Sequence, residues 1–193
     1  MQKIIISILV VACIFYLTNK TCQTSGKVFY TQRINDGKTK PKVYDLAHKY
    51  LPNYANTTLD FYVKDLYVLL GTLLPFIFTG NSTAFKEYLG MYIVIILLRC
   101  ITINATILPK TKTDTLIDKG SYDKIFSGHF ATLFLATLVF YQFKIITSVP
   151  LLVLANAINA YIILSTRSHY TVDIIVSIMA TLLVFTNKLS ALN

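Results

Sequence analysis

Six stretches of the chain are apolar enough to read as helices, and polar segments of very unequal length separate them. The first, Ile4 to Leu17, follows Lys3 and precedes Thr18-Asn19-Lys20. It is shorter than the ~20 residues a full crossing needs, so a signal-peptide core is one reading. No small-x-small cleavage site follows, and a retained first helix over residues 1–20 is the expectation. Thr21 to Asn53 shows no apolar periodicity. It holds Lys27, Arg33, Lys38, Lys40, Lys42 and Lys49, and Gly26, Gly37 and Pro41 punctuate it. Residues 21–58 therefore read as a basic polar loop, with one short interfacial helix near Tyr44 to Tyr50.

The second apolar run covers Leu59 to Phe78, with Asp60, Lys64 and Asp65 in its first turns. Asp60 and Lys64 share a helix face and can neutralise one another. Gly80-Asn81-Ser82 makes a turn into the third run, Tyr88 to Leu108, which carries Arg99 well inside and stops at Pro109. A basic loop with Lys110, Lys112, Lys119 and Lys124 follows. The fourth run goes from His129 to Ile146, Val149-Pro150 leads into the fifth, ending near Leu164, and the sixth covers Tyr170 to Asn187. Six spans place the segments before the fourth and the sixth on one membrane face, where His129 and Asp173 can share a site. The expected fold is an all-α polytopic membrane protein, with residues 59–190 as its catalytic core.

Composition agrees: the 193 residues are 54% apolar and mean hydropathy is +0.58. The net charge of +9 comes from the loops. Phosphate-bearing lipid at a membrane surface therefore suits it better than nucleic acid. Cys13, Cys22 and Cys100 lack CxxC spacing and clustered histidines, which argues against a disulfide framework and a zinc site. No metal or other cofactor is expected.

Two stretches carry the chemistry. Ser165 to Asp173 reads Ser-Thr-Arg-Ser-His-Tyr-Thr-Val-Asp, and its His169 and Asp173 stand one helical turn apart. The aspartate can accept the Nδ1 proton and leave Nε2 as a nucleophile. Ser127-Gly128-His129 opens a helix: Ser127 is a good N-cap, Gly128 lets backbone approach an anion, and unpaired N–H groups face whatever sits there. Two histidines, one backed by an acid, around a phosphate-binding helix start point to phosphoryl transfer through a phosphohistidine. His169 attacks phosphorus, Asp173 stabilises the charge that develops, and His129 serves as acid and then base. Arg99, about 15 Å along its helix from Pro109, is expected to pair with an inward carboxylate or reach the phosphate. Arg167 is a further phosphate contact. Asp123 and Lys124 can line the mouth of the site, and His48 has no assigned role.

Ser127-Gly128-His129 and His169-Tyr170-Thr171-Val172-Asp173 resemble the third and fourth motifs of the sphingomyelin synthase family, a lipid-transferase branch of the type 2 phosphatidic acid phosphatase superfamily. Arg99-Cys100-Ile101-Thr102, with Thr106, Leu108 and Pro109, resembles the second motif. Asp123 falls where that family has an acidic residue, and Leu51-Pro52-Asn53 is a trace of the first motif. The resemblance covers Leu51 to Asn187. It implies a six-helix core, a triad of His129, His169 and Asp173, and transfer of a phospho-headgroup from a glycerophospholipid to ceramide or diacylglycerol. Around that triad, Ser127, Gly128, Arg99 and Arg167 are the candidate phosphate contacts and Asp123 and Tyr170 the candidate headgroup contacts. The resemblance also places the protein in an endomembrane or the plasma membrane.

The departures are specific. Ser121-Tyr122 replaces the family's Cys-Gly, and the loop between the second and third motifs is short. The phosphatases' Lys followed seven residues later by Arg-Pro is absent, although a lipid phosphate phosphatase using the same triad stays the alternative, with a degenerate lipid-binding protein as a third. Arg167 stands where animal members have an acidic residue, and the local pattern is similar to inositol phosphorylceramide synthases and to phosphatidylcholine:diacylglycerol cholinephosphotransferases. Phosphocholine, phosphoethanolamine and phosphoinositol are all open as headgroups. Orientation is open too. The basic residues of the first loop, of the loop before His129 and Arg167 gather on the active-site face, against Lys3, Lys86, Lys144 and Lys188 opposite. The positive-inside rule makes that face cytosolic, whereas the resemblance implies a lumenal or exoplasmic one, where sequons at Asn19 and Asn56 are usable.

Overall fold

The computed structural model describes residues 2–35, 43–109 and 122–191. Among them the structure is helical, with no strand. The elements are α1 (Gln2–Asn35), α2 (Leu46–Tyr50), a π-helical turn (Leu59–Val63) running into α3 (Lys64–Thr79), α4 (Ser82–Ala105), α5 (Gly128–Gln142), α6 (Val149–Ser165) and α7 (Thr171–Thr186). Gly37, Lys38, Lys40, Pro41 and Lys42 lie outside the described residues, as do Lys110, Lys112, Lys119 and Ser121.

Local chemistry sets the boundaries. α3 ends where Gly80 takes φ +60 and its N–H returns to the Phe76 carbonyl at 3.0 Å, a left-handed stop that glycine adopts without strain. Asn81 then caps α4 by accepting the Ala84 N–H at 3.0 Å. Pro150 sits in the first turn of α6, where the missing N–H has no helical partner to lose. Helix α5 is the hub, packing on α3, α4, α6 and α7. Its Ala131, Leu135, Ala136 and Val139 are fully buried against Met91, Ile95 and Val184. The Phe76 and Phe140 rings close that core, 4.9 Å apart and edge to face.

Among the described residues, two helical runs are long and apolar enough to cross a membrane: Leu59–Thr79, which joins the π-helical turn to α3, and Ser82–Ala105. Helices α6 and α7 are apolar but shorter. Large apolar side chains point outward from the bundle, Ile77 and Phe78 on α3, Val153 on α6 and Met179 on α7 among them, as lipid-facing side chains do.

The expected loop over residues 21–53 is corrected here, because α1 continues as one helix to Asn35. The signal lay in a stripe of single residues set among polar neighbours. Cys22, Gly26 and Tyr30 repeat every four positions, and all three face the end of α4 and the segment that follows it. The Cys22 thiol donates to the Ile103 carbonyl, and the Tyr30 hydroxyl donates to that of Ile107. The Tyr30 ring stacks on Tyr122. A Cβ on Gly26 would come within 2.5 Å of the Tyr122 ring, so only glycine admits that packing. The short helix expected near Tyr44 to Tyr50 is present as α2.

Candidate active site

The turn between α6 and α7 carries His169. Arg167, at φ +55, reverses the chain, and Thr166 and Ser168 bond to each other across the turn at 3.0 Å. His169 then donates from Nδ1 to Asp173 Oδ2 at 2.9 Å. Asp173 is the third residue of α7, so the same oxygen also accepts the Tyr170 N–H at 2.9 Å, as acidic side chains do at that helix position. Its other oxygen accepts the Ile125 N–H at 2.8 Å. Both members of the pair are buried, His169 at 5% exposure and Asp173 at 0%. Ile125 sits at φ +75, a strained state for a β-branched residue that costs of the order of 1–3 kcal/mol. That backbone turn is what aims its N–H at the carboxylate.

With Nδ1 donating, Nε2 keeps its lone pair. Burial pushes the imidazole down to about 4, against the upward pull of the Asp173 bond and with a smaller lowering from Lys124. His169 is therefore neutral at physiological pH, with Nε2 free to act as a base or nucleophile.

A second layer holds the turn. His48 Nε2 donates to the His169 carbonyl at 2.9 Å. Asp45 joins α2 to α7: its carboxylate accepts the His48 N–H at 3.0 Å, the Thr171 N–H at 2.6 Å and the Thr171 hydroxyl at 2.9 Å. Burial alone would raise the Asp45 pKa, but the bonds from Thr171 and His48 outweigh it and hold the carboxyl below its ordinary range. Arg167 donates to the carbonyls of Leu164, His48 and Leu51. His48, without a role in the sequence reading, thus braces the backbone of His169. Asp45 three residues ahead of it, in cap spacing, was the available signal.

The start of α5 forms the other half. Ser127 caps the helix, its hydroxyl accepting the Phe130 N–H at 3.3 Å, and it is fully buried. A Cβ on Gly128 would lie 3.3 Å from Arg99 Nε, so the glycine makes room for the guanidinium. Arg99, 5% exposed, donates to the Phe126 carbonyl at 3.2 Å and pairs with Asp123 at 2.5 Å. His129 binds Asp65 through Nε2 at 2.7 Å, near the surface. A cavity of about 480 Å³ opens beside it, walled by Ile8, Val11 and Phe15 of α1 and Ile93 and Ile96 of α4, with Arg99, Asp123 and His129 along its polar side.

The residues expected at the site therefore fall into two groups, His169 and Asp173 with Arg167 and Tyr170, and His129 with Ser127, Gly128, Arg99 and Asp123. The segment 122–127 joins them, since Ile125 reaches Asp173 while Phe126 reaches Arg99. Lys124 ties the same segment to the turn by donating to the Ser168 carbonyl. Tyr170, expected at a headgroup, is buried with its hydroxyl on the Pro109 carbonyl. Asp65 is the partner that sequence reasoning did not assign. Among the described residues no group of three or more His, Cys, Asp or Glu side chains is placed to hold a metal ion.

Residues 122–190, from Tyr122 to the end of α7 and just beyond, match the family model described as PAP2 superfamily C-terminal. The match covers about a third of the chain and makes that stretch similar to the PAP2 superfamily, whose members are mostly phosphatases or phosphotransferases. No curated protein matches the chain.

Proposed function

We propose that the chain is an integral membrane phosphotransferase whose six long helices cross the bilayer and which moves a phospho-headgroup from a glycerophospholipid to ceramide or diacylglycerol. The observation that carries the reading is the buried His169–Asp173 pair, with Nδ1 held at 2.9 Å and the carboxylate fixed by two backbone N–H groups. Such a pair needs no reorganisation to offer Nε2 to phosphorus. The cavity beside His129 supports a lipid substrate, being apolar along α1 and α4 and polar where a headgroup would lie. The outward apolar side chains of α3, α6 and α7 support the bilayer setting.

In the first half-reaction His169 Nε2 forms a bond to phosphorus as the phosphorus–oxygen bond to diacylglycerol breaks, and His129 gives its proton to the departing alkoxide. Asp173 stabilises the positive charge on the phosphorylated imidazole. In the second, the acceptor hydroxyl passes its proton to His129 while its oxygen displaces His169. Asp65 holds the His129 ring between turnovers, and the ring must swing off that carboxylate to deliver its proton. The site faces an endomembrane lumen, the exoplasm or the cytosol, according to the orientation the six helices take.

Partial exposure of the His129 side chain, 39%, favours one second reading, hydrolysis of a lipid phosphate with water as acceptor. Detergent-solubilised protein given headgroup-labelled phospholipid, with and without ceramide or diacylglycerol, separates the two. Label appearing in a new lipid only when acceptor is present supports transfer. Release of soluble labelled headgroup without acceptor supports hydrolysis. No turnover of any lipid leaves a lipid-binding protein without catalysis.

A further inference from the structure

The two arginines that the sequence favoured as phosphate ligands are engaged elsewhere. Arg99 donates to Asp123 and the Phe126 carbonyl, and Arg167 donates to three backbone carbonyls. A different cation lies against the turn that carries His169. Lys64, the first residue of α3, reaches Ser168 Oγ at 3.0 Å, beside the nucleophile, and Asp60 Oδ1 at 3.3 Å. The next residue, Asp65, reaches His129 at 2.7 Å. Consecutive side chains on one helical turn therefore touch both halves of the site, and the interval between those halves is where a transferred phosphorus must pass.

We infer that Lys64 is the phosphate-binding cation of this site, its ammonium taking the non-bridging oxygens of the lipid phosphodiester. The inference rests on the proposed transfer or hydrolysis chemistry for its substrate, but not for its binding test. The ammonium carries three N–H donors, two of them directed at Asp60 and Ser168, which leaves one for an anion. The Lys64 side chain is 12% exposed and that of Asp60 1%, so water screens the ammonium little and a phosphate arriving there shares it with the Asp60 carboxylate. Asp60 in turn accepts the Asn56 N–H at 2.9 Å, which anchors the pair to the chain entering the π-helical turn. Such turns occur often at functional sites. A plainer role for Lys64 is neutralising buried Asp60, and the test separates the two.

Orthophosphate is titrated into the detergent-solubilised full chain while thermal unfolding is followed, since a ligand that binds only the folded state raises the midpoint. Wild type and Lys64→Arg are expected to show the phosphate-dependent rise. Lys64→Met is expected to bind phosphate about 10- to 100-fold more weakly, the scale of one hydrogen bond to a charged group. Removing the lysine alone strands a buried carboxylate and can unfold the chain, so Asp60→Asn/Lys64→Met is measured beside it. A neutralising role predicts that the double variant binds phosphate as wild type does, and that result overturns the assignment. Wild-type protein that turns over lipid yet shows no phosphate-dependent shift overturns it as well. His169→Ala is expected to keep the shift while losing turnover. Wild-type protein that binds phosphate through Lys64 but turns over no lipid upholds the phosphate site and sinks the proposed function.

Discussion

The two histidines of this protein live in opposite settings. His169 is buried, its ring fixed by a fully buried carboxylate and its backbone by His48. His129 has a side chain 39% exposed and a partner, Asp65, 60% exposed. The contrast suits the two different tasks proposed for them. A nucleophile gains from a single held geometry, because reorganisation at the moment of attack adds to the barrier. A group that must give up a proton and later take one gains from a loose partner that it can leave.

The sharpest way to break that comparison is at the buried carboxylate that holds His169. Asp173→Asn is expected to lower kcat by about 10⁴-fold, the loss seen when the acid orienting a catalytic histidine becomes an amide, as measured by labelled headgroup transfer. His129→Ala comes next, with a loss of about 10²–10⁴; a loss equal to that of His169→Ala would mean that the two rings act as one unit.

Acidification tests the same contrast through the burial of His169. Its folded pKa of about 4 lies below the ordinary 6.5, so between those values the unfolded chain binds more protons than the folded one. The stability this ring contributes is therefore complete above pH 6.5 and is lost as pH falls towards 4. The acid limb of the kcat/KM profile that belongs to the nucleophile should lie near pH 4 and not near 6.5. A limb of His169 at 6.5, assigned by its loss in the His169→Ala protein, would show a wetter pair than the structure has.

Away from the dyad, Gly26→Ala drives a methyl into the Tyr122 ring and should lower stability by about 1–3 kcal/mol, read as a fall in the thermal midpoint. A null effect would mean that the polar half of α1 does not hold the 122–127 segment. The smallest change belongs to Asp65→Asn. A solvent-exposed pair is worth only about 0.2–1 kcal/mol, so kcat should fall no more than a few-fold. A loss as large as that of Asp173→Asn would erase the distinction between the two histidines.

Much of this was legible from residue order. The alternation of apolar runs and turn residues located five of the long helices, because Gly80, Asn81 and Pro150 act locally and mark helix ends by their own backbone preferences. The His169–Asp173 pair was readable because both partners lie one turn apart at a helix start. The rest depends on contacts across the bundle. Nothing near Asp65 in the sequence points to His129, 64 positions away, or near Asp45 to Thr171, 126 positions away. The second half of α1 escaped notice because its packing stripe is built from cysteine, glycine and tyrosine.

Asp45 gives the bundle one more property. Its single carboxylate fastens a five-residue helix to the start of α7 and, through His48, the backbone of His169. A fragment trimmed to residues 122–190 would keep His129, His169 and Asp173 but lose this clasp, along with Arg99 and Lys64. The smallest unit that keeps this geometry is therefore larger than the stretch that matches the family model, and it begins no later than the residue before α2.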